Sequence, residues 1–139
     1  VVVAIIGILS SIAFPSYREY VARGKRADCQ AIVQQVAQFE QRWFNASDAF
    51  IKTGATGFPS NLTQCPSSGT AEYNITVAHQ SAGGTDDTRT YIINAIPAIG
   101  TSMENDRCKG YRLLNTGESG AVADDADTSF DTSVDAKCW

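Results

Sequence analysis

Histidine is almost missing from this 139-residue chain: His79 stands alone. With one histidine there is no Ser-His-Asp set at any recognisable spacing. The four cysteines, Cys29, Cys65, Cys108 and Cys138, contain no CxxC pair, so a zinc constellation is lacking too. No glycine-rich phosphate loop and no internal repeat is visible, and no cofactor is expected. A basic excess is also absent. Lys and Arg total 11 against 15 Asp and Glu, a net charge of -4, whereas general nucleic-acid binding usually needs a basic footprint. The first fourteen residues, VVVAIIGILSSIAF, carry no charge at all. The chain lacks an initial Met, and no basic region precedes the apolar start as it would in a signal peptide. It reads as a processed chain, or one whose first residues are missing.

What is present suits one domain with a modest core. Residues 1 to about 45 read as one long helix with two halves. The first is apolar all round, as in a segment surrounded by lipid or by other helices. Its apolar run is short of the roughly 20 residues a membrane span needs, so further apolar residues are expected upstream of Val1. The second half is amphipathic: Ile32, Val36, Phe39 and Trp43 share one face at i, i+4, i+7 and i+11, with glutamines around them. Gly7 and Pro15 bracket a weak stretch that is either a kink or a segment able to unwind.

Residues 45 to 70 are loop-like. Tyr73, Ile75 and Val77 then alternate with polar residues. A turn cluster, SAGGTDD, fills 81–87. Tyr91, Ile93 and Ala95 form a second alternation, Tyr111 and Leu113 a third, and Ala121 to Ala123 a short fourth. The fold class is α+β: a long N-terminal helix packed on three or four antiparallel strands, with a terminal loop. Residues 1–24 are expected to protrude and 25–139 to form a globular head. An even number of well-separated cysteines points to two disulfides and an oxidising compartment. Three pairings are possible. Cys29–Cys65 with Cys108–Cys138 is favoured because it follows sequence order and closes two local segments, each worth roughly 3–4 kcal/mol.

The stretch VVVAIIGILSSIAFPSYREYVARGKRADCQA closely resembles the N-terminal helix of type IVa pilins, with Gly7, Pro15, Tyr17 and Tyr20 matching that family's glycine, proline and aromatic pair. The segment DRCKGYRLLNTGESG and the closing KCW resemble the C-terminal disulfide loop of neisserial-type and pseudomonad pilins, which would end at Cys108 and Cys138. Two departures stand out. The family's methylated Phe and its glutamate would lie before Val1, and Cys29 sits unusually within the helix. The resemblance implies a non-enzymatic pilus subunit of a Gram-negative bacterium. It would be held in the inner membrane and then built by the pilus assembly machinery into an extracellular filament of identical subunits. Adhesion, twitching motility or DNA uptake would be its service. Alternatives are a minor pilin with a binding task such as DNA capture, or a type II secretion pseudopilin. The C-terminal loop argues against the last.

On that reading Val1, Val2, Val3, Ile5, Ile6, Gly7, Ile8, Leu9, Ile12, Phe14 and Pro15 form the filament core. Their large side chains gain on the order of 15–25 kcal/mol over water before ordering costs. Arg18, Arg23, Lys25 and Arg26 are candidates for lipid headgroups and then for acidic loops of neighbouring subunits. Tyr17, Tyr20, Phe39, Trp43 and Phe44 read as packing rather than an electron-carrying chain. Asp124, Asp125 and Asp127 lack EF-hand spacing, so no metal is assigned. Sequons at Asn45, Asn61 and Asn74 carry little weight in a bacterium.

Overall fold

The computed structural model describes residues 2–82, 85–124, 130–131 and 138–139, with the side chains of 8–16, 81 and 82 excepted. Helix α1 runs unbroken over Val2–Ser47, 46 residues and therefore about 70 Å. It passes through both Gly7 and Pro15, so the weak stretch is helical here. From Glu19 onward the helix lies along the head. Cys29, Val33 and Val36 are buried on one stripe, with Ile32 beside them, while Gln34, Gln38 and Gln41 face water. The core face thus centres on Cys29, Val33, Val36 and Glu40. Phe39 and Trp43 lie at its margin, half-buried, with their rings 5.9 Å apart and Phe39 edge-on to Phe58 at 5.6 Å.

A five-stranded antiparallel meander follows, in chain order: β1 (Gln64–Cys65), β2 (Tyr73–Ala82), β3 (Thr85–Pro97), β4 (Gly110–Leu114) and β5 (Ser119–Val122). Alternate residues of β2, β3 and β4 point at the helix: Tyr73, Ile75, Val77, Tyr91, Ile93, Ala95, Tyr111 and Leu113 are all buried. Two features differ from the sequence reading. The cluster at 81–87 is mostly strand, since Gln80, Ser81 and Ala82 pair with Asp87, Asp86 and Thr85; cross-strand bonding overrides the turn composition there. The loop after the helix also carries β1, a two-residue edge strand too short to show any periodicity. The β2–β3 ladder shifts register between Ala78 and Gln80, and this bulge lies opposite the segment that follows α1.

Two disulfides staple the fold. Cys29–Cys65 ties the middle of α1 to β1, and Cys108–Cys138 closes the C-terminal loop. Both join the residues favoured from sequence order.

Candidate functional site

The front of α1 is strongly exposed among the described residues. Val2, Val3, Ile5 and Ile6 are 70, 82, 52 and 60% exposed. The side chains exposed there are all aliphatic. A Cβ added at Gly7 would meet nothing within 4 Å. Val1 and the side chains of Ile8, Leu9, Ile12, Phe14 and Pro15 lie outside the described residues. Among the described residues, no helix is long and apolar enough to cross a membrane.

Where the helix meets the head, two of its basic residues, Lys25 and Arg26, turn toward the head. Arg26 is buried, and its guanidinium grips the carboxylate of Asp106, with Nε donating to Oδ2 at 2.7 Å. The same carboxylate holds the Arg26 pKa above its ordinary value. Arg23, Arg26 and Arg107 all donate to one oxygen of Glu19, at 3.3, 3.3 and 3.0 Å. Lys25 donates to Glu72 and to Ser102, and holds the Glu72 carboxyl below the usual carboxylate range. Arg26 is therefore a structural clamp between α1 and the loop before Cys108, not a surface charge; Lys25 is likewise engaged. Arg18 and Arg23 are the exposed members of the cluster. The seam leaves a cavity of about 450 Å³, lined by Tyr17, Arg18, Val21, Met103 and Arg107 among others.

The C-terminal loop is pinned by an indole. Trp139 stacks on Tyr111 at 5.2 Å, meets Tyr73 edge-on at 5.8 Å, and donates Nε1–H to the Cys108 carbonyl at 2.6 Å. Phe130 covers Gly120 so closely that a Cβ there would come within 2.8 Å of its ring. Four basic side chains of the head are paired: Lys52 with Asp86, Arg89 with Asp48, Lys109 with Asp131, and buried Arg112 with Asn94. Lys137, Asp125 and Asp127 lie outside the described residues; Asp124 is exposed. Among the described residues, no three potential metal ligands cluster.

One buried group went unnoticed in the sequence. Glu40 is fully buried, and its Oε2 accepts the Ile51 N–H at 3.0 Å. Burial pushes its carboxyl up to about 7, the Ile51 hydrogen bond opposing. Its spacing of four from Val36 and seven from Val33 already put a carboxyl on the apolar stripe.

Residues 15–112, more than half of the chain, match the family described as type IV minor pilin ComP, DNA uptake sequence receptor. A solved type IV pilin from Shewanella oneidensis is similar at 17% identity, over 70% of this chain and 89% of that one, with a TM-score of 0.48. No curated protein matches the sequence.

Proposed function

The chain belongs to the family of the type IV minor pilin ComP, DNA uptake sequence receptor, and from that premise we propose that it enters a type IV pilus filament through the front of α1. One observation supports this above others: four aliphatic side chains, Val2, Val3, Ile5 and Ile6, stand exposed together within the first two helical turns. Residues 1–24 would supply the filament core and 25–139 the water-facing head. Before assembly the same front would rest in the inner membrane. The test is sheared filaments examined by electron microscopy and immunoblot. Ile5→Asp with Ile6→Asp should remove the chain from filaments while the head still folds. Normal incorporation of that variant would sink the proposal.

A second reading, favoured by the family description, is a minor subunit that contacts DNA. Its phosphate contacts would come from side chains that exchange partners at little cost. Arg89–Asp48 and Lys52–Asp86 are both exposed pairs beside the β2–β3 hairpin, of a kind worth about 0–1 kcal/mol. DNA binding should then weaken steeply with salt, and further on Lys52→Ala with Arg89→Ala. Absence of binding at low salt would remove this reading and leave the first untouched.

A further inference from the structure

The segment 48–53 crosses from the end of α1 to the sheet as a strap. Phe50 N–H donates to Thr88 O at 2.8 Å, inside the β2–β3 bulge. His79 Nε2 contacts Phe50 O at 3.1 Å, from the bulged stretch of β2. Val77 N–H donates to Thr53 Oγ1 at 2.7 Å. The Phe50 ring sits between Phe44 and Tyr91, 4.6 Å from each. The remaining anchor is Glu40, through Ile51. Two atoms at this junction, Glu40 Oε1 and His79 Nδ1, are buried without a hydrogen-bond partner among the described residues. Bulges are over-represented beside functional sites, and a buried group left unsatisfied in a folded protein calls for a specific explanation.

We propose that the 48–53 strap is a proton-controlled latch, seated while the Glu40 carboxyl is neutral and loosened when that carboxyl ionises. A neutral carboxyl still accepts the Ile51 N–H, so the seated strap needs no charge. An ionised one would hold an uncompensated charge in the core, which opening the strap to water relieves. Among the described residues, no Lys or Arg pairs with it. Tyr91 on β3 is an acid itself, pushed up by burial and further by the Glu40 charge. His79 on β2 is engaged with the strap backbone. On the strap, Asp48 and Lys52 pair outward with Arg89 and Asp86. Because those pairs bind the strap to the hairpin, its release would also free the hairpin end of β3.

The test is amide hydrogen exchange on the full chain in detergent, corrected for intrinsic rates, at pH 5.5 and 8.5. Protection of Phe50 and Ile51 should fall about tenfold or more at the higher pH in the native protein, and stay level in Glu40→Gln. Equal protection at both pH values in the native chain, or the same loss in Glu40→Gln, would overturn the latch. If that variant does not fold, a carbon-detected titration of Glu40 in the native chain decides. A midpoint in the neutral range supports the proposal, and one in the ordinary carboxylate range overturns it. None of these readouts involves filaments or DNA.

Discussion

At the residue scale, burial of charge governs the measurable behaviour. Glu40 has its carboxyl raised in the folded state to about 7, above an ordinary value of 4.5. Its contribution is fully present below about 4.5, falls as pH rises and is gone above about 7. At roughly 1.4 kcal/mol per unit, the loss is at most about 3 kcal/mol. Thermal unfolding of Glu40→Gln across pH 4.5–8 should show that decline abolished relative to the native chain. Arg26 is the opposite case, a buried cation matched by a buried anion. Arg26→Ala would leave Asp106, only 6% exposed, without its cation, and should cost about 3–5 kcal/mol, read by urea denaturation. Both residues were visible as letters on or beside the apolar stripe. The sequence alone could not say that each was buried, because periodicity marks a face and not its depth. It therefore left Arg26 among the surface charges and passed over Glu40.

At the element scale, what was legible followed periodicity. The long helix, the three main strands from their Tyr, Ile and Val alternations, and the helix face around Ile32 and Val36 were all set by period 3.6 or 2. What was hidden obeyed other rules. The strand ends at 81–82 and 85–87 depend on pairing with each other across the hairpin, and β1 has two residues and so no period. Glycine and proline composition suggested interruptions in α1, yet a helix tolerates both when its other backbone bonds remain. The glycine at 57 is a firmer constraint. It has φ of +106°, and a Cβ there would meet the Trp43 ring at 2.5 Å. Gly57→Ala should therefore lower the melting temperature, whereas Gly54→Ala, strained but in open space, should lower it less. Removing the Cys29–Cys65 bond by a double serine substitution should cost roughly 2–5 kcal/mol, measured in the same denaturation experiment.

At the scale of the whole molecule, the proposed function places the front of α1 and the head in different environments. The expected outcome of charge reversal follows from that division. Arg18→Glu with Arg23→Glu alters only exposed members of the basic cluster and should reduce filament yield with little change in head stability. Including Arg26 would unfold the seam and confound the result. The candidate assembly surface was legible because residues 1–14 are apolar apart from Gly7, Ser10 and Ser11, whereas the other long uncharged stretches of the chain are rich in polar residues or alternate with them. The seam beneath it was not, since Glu19, Glu72 and Asp106 are brought to their cations by the fold and not by spacing.

The Cys29–Cys65 bond also defines a mechanical route. Tension applied at the apolar end of α1 and resisted by the head travels down the rod to Cys29, then crosses a covalent link into the edge of the sheet. The thirty-odd residues between those cysteines are bypassed by the load. The rear half of the rod and the strap behind it are thus shielded from pulling, and the parts that stretch first are the ion pairs around Glu19 and Asp106.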